Sequence, residues 1–321
     1  MKIQSSKKIS FFIVGAPKSG TSFLRHHLNK HPHLFLPEEE PVYMSTDLND
    51  LSNYKSLESY LKLFGNKLES NNNIICGEKS STYLHSNTAY KEIFKYNQKA
   101  KIIICLRNPI SACISYHNHN KVMGFETIND FSEAWNSQHL RVSSNYKIPL
   151  WARNEKLRYQ YKNIYNYNNH VLKYLNTFGK ENVKIIFFED IRDNKDKVFL
   201  ELFKFLNVKN FLITEYTIVN FIPKINIDNT LKNKIYLYKV YFLKKDSVRK
   251  FSKIIKTILR IKSFNFLGKF LKPNSINPMH KIVSKKQELD EDIKKLLLDK
   301  FKESILDLSK TLNKNLDHWL K

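Results

Sequence analysis

Four short apolar runs punctuate the 321-residue chain: Ile9 to Gly15 (ISFFIVG), Asn73 to Gly77 (NIICG), Lys101 to Arg107 (KIIICLR) and Val183 to Glu189 (VKIIFFE). None alternates strictly between apolar and polar positions, as expected of strands covered on both faces. Helical apolar spacing fills Gly20 to Lys30, Pro109 to His119, Tyr167 to Phe178, Asp196 to Leu206 and, near the C-terminus, Leu289 to Leu308. Strands alternating with helices predict an α/β fold: a three-layer arrangement in which helices flank a central parallel sheet joined by right-handed crossovers. The stretch from Ile225 to Phe270 reads as a basic helical segment inserted into this alternation. The expected organisation is therefore one domain over 1–321 with an insertion at about 225–270.

Composition narrows the class. A hydrophobic content of 42% can fill a large core, and seven glycines with nine prolines are too few for a turn-rich sandwich or propeller. No run approaches the roughly 20 apolar residues of a membrane span, and Met1 to Ser10 holds no apolar signal core. A soluble, cytoplasmic protein is the expectation. Cys76, Cys105 and Cys113 are an odd set without C-x-x-C spacing, so neither a disulfide framework nor a metal site is expected.

The net charge of +24 is unevenly spread: residues 1–150 hold 18 basic and 12 acidic residues, residues 151–321 hold 36 and 18. Residues 231–272 alone carry 13 basic side chains against the single acid Asp246. Nucleic-acid binding is one reading of that stretch, but no recognition motif accompanies it, so no specific nucleic-acid partner is expected. Peripheral contact with an anionic membrane is another, because Ile235 to Lys245 mixes apolar and cationic residues. The bland reading is AT-biased coding, since Lys and Asn are abundant throughout. Nothing in the sequence calls for an obligate protein partner.

Two strand-to-helix turns carry candidate chemistry. In Gly15-Ala16-Pro17-Lys18-Ser19-Gly20-Thr21-Ser22, two glycines, a lysine and three hydroxyls stand where backbone N–H groups and a helix N-terminus can cradle a phosphate. The glycine spacing is that of a nucleoside-triphosphate P-loop, yet Thr21-Ser22 stands where Lys-Ser/Thr is required. The displaced lysine disfavours a P-loop nucleotide kinase, which stays as the enzymatic rival. The second turn is Leu106-Arg107-Asn108-Pro109, continuing to Ser115-Tyr116; Arg107 offers a bidentate fork, and Ser115 adds a hydroxyl two helical turns on. Two cationic strand ends on one parallel sheet predict a ligand with two separated phosphates.

These segments resemble the sulfotransferases that use 3′-phosphoadenosine-5′-phosphosulfate, in particular the heparan sulfate sulfotransferase branch and its soluble bacterial relatives. Ala16 to Ser22 is similar to that family's 5′-phosphosulfate loop, and Leu106 to Tyr116 to its 3′-phosphate motif, including the eight-residue step from Arg107 to Ser115. Glu40-Pro41-Val42-Tyr43-Met44 and Glu78-Lys79-Ser80-Ser81-Thr82-Tyr83-Leu84 resemble two further segments of the branch. Phe188-Glu189-Asp190 and Asp317-His318-Trp319-Leu320 also fit in order. The resemblance implies a P-loop-like fold and transfer of a sulfuryl group to a hydroxyl or amine of a carbohydrate or glycan-like acceptor, without a metal. It implies that Pro17, Lys18, Ser19, Gly20, Thr21, Ser22, Arg107 and Ser115 hold the donor and its product adenosine 3′,5′-bisphosphate. Lys18 would follow the leaving oxygen, and Lys79 would bind the sulfuryl group or the acceptor.

Glu40 is the implied general base. It ends the acidic cluster Glu38-Glu39-Glu40, whose repulsion is expected to raise at least one pKa, and Glu39 is the fallback. The small-molecule branch uses a histidine base instead, which makes His31, His33, His117 and His119 rivals. His31 and His33 flank Pro32 in a turn and read as capping or packing residues, whereas His117 and His119 read as solvent-facing. The positive second half would favour an anionic acceptor by electrostatic steering.

Overall fold

Strand β1, Phe11–Gly15, is buried along its whole length because it lies at the centre of a five-stranded sheet. A computed structural model describes residues 7–68, 73–217 and 290–321. The remaining strands are β2 (Leu34–Phe35), β3 (Ile75–Lys79), β4 (Lys101–Leu106) and β5 (Val183–Phe187). Their order is β2-β3-β1-β4-β5, and every neighbouring pair is parallel. The four predicted strands are present. The two-residue β2 escaped prediction because so short a segment has no periodicity; it is recognisable only by its pairing with β3, Leu34 against Ile75 and Phe35 against Cys76.

Alternate residues of each strand enter opposite cores, which is why the apolar runs do not alternate. Phe12, Val14, Ile102, Ile104 and Leu106 face the helices Ala89–Tyr96, Pro109–Val122, Tyr167–Phe178 and Glu291–Leu312. Phe11, Ile13, Ile103, Cys105 and Ile186 face Thr21–Leu28 and Lys195–Phe205. The result is the three-layer α/β arrangement expected. The C-terminal helix seals the first core with Leu297, Phe301 and Leu308, each side chain contributing about 1.5–3 kcal/mol by leaving water. The segment between Met123 and Tyr161 is a series of short helices that no long periodicity announces. The predicted basic insertion at 225–270 lies outside the described residues.

Gly77 faces Phe11 across β3 and β1, and a β-carbon there would sit 2.2 Å from Cζ of the fully buried Phe11 ring. Gly77→Ala is expected to lower stability by about 1–3 kcal/mol by overpacking this contact. Denaturant unfolding reads the effect as a lower midpoint at unchanged slope.

Parallel strands all finish on one edge. Between β1 and β4 the chain reverses its direction of travel across the sheet, leaving a crevice at the carboxyl ends. The segments following β1, β3, β4 and β5 meet there.

Candidate active site

The loop after β1 is held open by its backbone. Lys18 adopts φ +61° and Gly20 φ +93°. A β-carbon on Gly20 would press Ile191 at 3.0 Å and Phe188 at 3.3 Å, so glycine answers both the conformation and the space. A left-handed lysine costs on the order of 1 kcal/mol, a strain that collects at functional sites. The Ala16 N–H donates to the Cys105 carbonyl at 2.6 Å, and the Tyr165 hydroxyl donates to the Pro17 carbonyl at 3.2 Å, pinning the loop to β4 and to the layer beneath. Ser19 and Thr21 are buried. The helix Thr21–Leu28 starts with no side-chain cap and no acidic residue in its first turn, so its N–H groups and positive dipole end stay available to an anion.

Arg107 leaves the end of β4 and donates from Nη1 to the Lys18 carbonyl at 3.3 Å. Its guanidinium lies 4.5 Å from the centre of the Phe188 ring, which follows β5. Asn108 caps the next helix by accepting from the Ser111 N–H at 3.1 Å, and Pro109 occupies the first turn, so the strand end and helix are joined rigidly. Ser115 is half-buried on that helix and does not hydrogen-bond to Arg107.

Lys79, at the end of β3, is only 3% exposed, which rules out an ordinary surface lysine. Its ammonium pairs with Glu40 Oε1 and donates to Ser22 Oγ at 3.2 Å, tying the acidic segment to the start of the helix after β1. The other Glu40 oxygen accepts from both the N–H and the hydroxyl of Ser81, each at 2.9 Å. The structure therefore brings Lys18, Ser22, Glu40, Lys79 and Arg107 to one mouth.

Electrostatics follow from that crowding. Burial, then the charges of Arg107 and Lys79, push the Lys18 ammonium down to about 8, while Glu40 opposes the fall. Burial disfavours a charged Glu40, yet the Lys79 ammonium and the Ser81 hydrogen bonds outweigh it and hold the carboxyl below its ordinary value. This corrects the expected rise from repulsion within Glu38-Glu39-Glu40: the neighbours in sequence point elsewhere, and Glu39 is exposed, accepting from the Tyr54 hydroxyl at 2.9 Å.

The histidines divide. His31 shares its ring between the His33 N–H at 3.1 Å and the Lys209 carbonyl at 2.9 Å, a packing and turn-capping role as expected. His117 is fully buried, its Nε2 at 2.9 Å from the Ile128 carbonyl, so the expectation that it faces solvent is wrong. His119 is not solvent-directed either. Burial first, and the nearby charges of Lys18 and Arg158 next, drop it to about 4, so it is neutral at pH 7; its buried Nδ1 has no hydrogen-bond partner among the described residues.

Sequence reasoning missed Ser81, Phe188 and Glu78. Ser81 and Glu78 lie within the recognised Glu78–Leu84 segment and Phe188 within Phe188-Glu189-Asp190, but sequence position says nothing about which side chain each meets. Among the described residues no group of three or more potential metal ligands is found, and no helix is long and apolar enough to cross a membrane.

Comparison with known proteins agrees with this architecture. A sulfotransferase domain model matches residues 8–305. The human bifunctional heparan sulfate N-deacetylase/N-sulfotransferase 2 is 23% identical over 204 residues, covering 63% of this chain and 22% of that protein. The membrane-associated sulfotransferase kil1 of Dictyostelium discoideum is 29% identical over 110 residues, covering 34% of this chain and 22% of that protein. The chain thus spans about a fifth of the length of these relatives. A crystal structure of a sulfotransferase from Alicyclobacillus acidocaldarius superimposes with a TM-score of 0.66 at 20% identity, covering 98% of this chain and 99% of its own, and so shares the fold. With the family match running through nearly the whole chain and the two cationic strand ends meeting at one crevice, this protein belongs to the sulfotransferase family.

Proposed function

We propose that the protein transfers a sulfuryl group from 3′-phosphoadenosine-5′-phosphosulfate to a hydroxyl or amine of a carbohydrate acceptor. The observation that carries the reading is the Arg107-to-Lys18 hydrogen bond, which joins two cationic strand ends separated by 89 residues in the sequence. The donor chemistry fits this cradle: an uncapped helix N-terminus and Lys18 suit a phosphosulfate, and Arg107, with Ser115 further along its helix, suits a second phosphate. When bound, the donor supplies an activated sulfuryl group and a phosphate leaving group. Lys18 stabilises negative charge on the oxygen that departs. Glu40 takes the acceptor's proton, and Lys79 governs its readiness, since moving the ammonium away from Glu40 raises the carboxylate's proton affinity. His119 is a second reading for the base, favoured by its neutral ring and its unpartnered Nδ1.

The carbohydrate acceptor rests on similarity to proteins named for heparan sulfate. One sulfotransferase domain over 1–321 is supported by the span of the family match, and a cytoplasmic setting by three buried, unpaired thiols. Peripheral membrane contact through the basic stretch is testable by liposome co-sedimentation.

Calorimetry with adenosine 3′,5′-bisphosphate tests the donor site, followed by an acceptor screen with labelled donor. The bisphosphate is expected to bind more tightly than adenosine 5′-monophosphate, and Arg107→Ala to erase most of that preference, roughly 10- to 100-fold for a charged hydrogen-bonding group. ATP binding as tightly as the bisphosphate would favour the kinase instead.

A further inference from the structure

Glu78 is completely buried at the end of β3, with no cation paired to it among the described contacts. Its carboxylate instead collects three hydroxyls: Tyr60 donates to Oε2 at 2.5 Å, Tyr83 to Oε2 at 3.3 Å and Ser80 to Oε1 at 2.7 Å. Two of these hydroxyls are themselves acceptors. Ser80 Oγ receives the Val42 N–H at 3.0 Å, and the Tyr83 hydroxyl receives the Met44 N–H at 2.9 Å. Both N–H groups belong to the turn that immediately follows Glu40.

That turn needs holding. Val42 is β-branched yet adopts φ +52°, a conformation that persists only when its surroundings over-determine it. Ser45 Oγ donates to the Val42 carbonyl at 3.1 Å and Ser52 Oγ to the Pro41 carbonyl at 2.9 Å, so the Glu78 relays complete a set of restraints on both sides of the strained residue.

We propose that Glu78 is the positioning residue for Glu40: by taking the protons of the Ser80 and Tyr83 hydroxyls it leaves their lone pairs for Val42 and Met44, and so fixes the turn that aims Glu40 at the site. This rests on the assignment of Glu40 as the base. An ionised Glu78 can accept from all three hydroxyls, whereas a protonated carboxyl or an amide must donate to one of them and leaves that hydroxyl's own proton without an acceptor. Burial pushes Glu78 up to about 7, against its three hydroxyl hydrogen bonds, and the Glu40 charge raises it further. The other titratable groups that sense it are Tyr60, Tyr83, Tyr96 and Tyr174, all raised above the ordinary tyrosine value and neutral in this range. The ionised form, the one that accepts from all three hydroxyls, therefore prevails above about pH 7 and is lost as pH falls through it.

The experiment measures Glu78→Gln in the full chain. Expected are a kcat lower by on the order of 10- to 100-fold, the loss a small misplacement of a reacting group produces, and affinity for adenosine 3′,5′-bisphosphate within about twofold of wild type. The acid limb of kcat/KM near pH 7 in the wild type should also vanish in the variant. Tyr83→Phe and Ser80→Ala guard against a Glu78 variant that does not fold: each should lower kcat severalfold at unchanged bisphosphate affinity, and their effects should be non-additive. Wild-type kcat in Glu78→Gln, or in both relay variants, overturns the proposal, as do strictly additive losses. Glu40→Gln separates the two ideas. Full turnover in Glu40→Gln overturns both, whereas an inactive Glu40→Gln beside a fully active Glu78→Gln overturns the positioning role alone.

Discussion

Replacing Lys18 by alanine is expected to lower kcat by on the order of 10²- to 10³-fold, the usual consequence of removing a preorganised donor from a site of developing charge. The fold should survive, because Lys18 sits on a loop and its removal relieves both a half-buried ammonium and its repulsion from Arg107 and Lys79. Thermal unfolding is expected to show no loss of stability, while single-turnover sulfuryl transfer shows the fall. The same crowding sets a pH dependence. With the ammonium held near 8, the free enzyme carries a cation at neutral pH and loses it as pH rises through about 8, so kcat/KM should fall on the alkaline side. A bound polyanion favours the charged form, so the corresponding limb of kcat should move to higher pH. Near-normal turnover by Lys18→Ala would remove the ammonium from the chemistry.

The second large effect separates the two candidate bases. Glu40→Gln keeps the shape of the side chain and removes its ability to take a proton. It is expected to reduce kcat by roughly 10²- to 10⁴-fold with bisphosphate affinity nearly unchanged. His119→Ala is expected to change kcat far less if the carboxylate is the base. The reverse ranking would assign the proton to the imidazole, whose depressed pKa leaves it neutral at pH 7. Circular dichroism should precede both assays, because Glu40→Gln also strips Lys79 of its counter-ion.

The local features of this site were legible in the amino-acid sequence. The strand-to-helix turns around Lys18 and Arg107 are contiguous segments, and residue types alone identify them: glycines where the backbone turns left-handed, a cation inside the loop, a proline in the first helical turn. The four longer strands were legible for the same reason, since burial on both faces leaves an unbroken apolar run. The two-residue β2 and the short helices between Met123 and Tyr161 were not, because a segment shorter than its own period carries no pattern.

What joins distant residues came only with the tertiary structure. Glu40 and Lys79 are 39 residues apart and meet because the segment after β2 packs against the end of β3. That meeting reversed the direction of the Glu40 pKa, which local acidic neighbours had suggested would rise. His119, about one helical turn beyond Ser115, became a neutral ring near Lys18 by the same convergence, and Glu78 became a buried hub for hydroxyls from its own segment and from the distant Tyr60. Sequence by itself determined where backbone N–H groups and cations can cradle an anion, because that depends on adjacent residues. Which side chains ionise, pair or lose water is decided by distances across the sheet and by the dielectric they share, and those exist only once the strands are side by side.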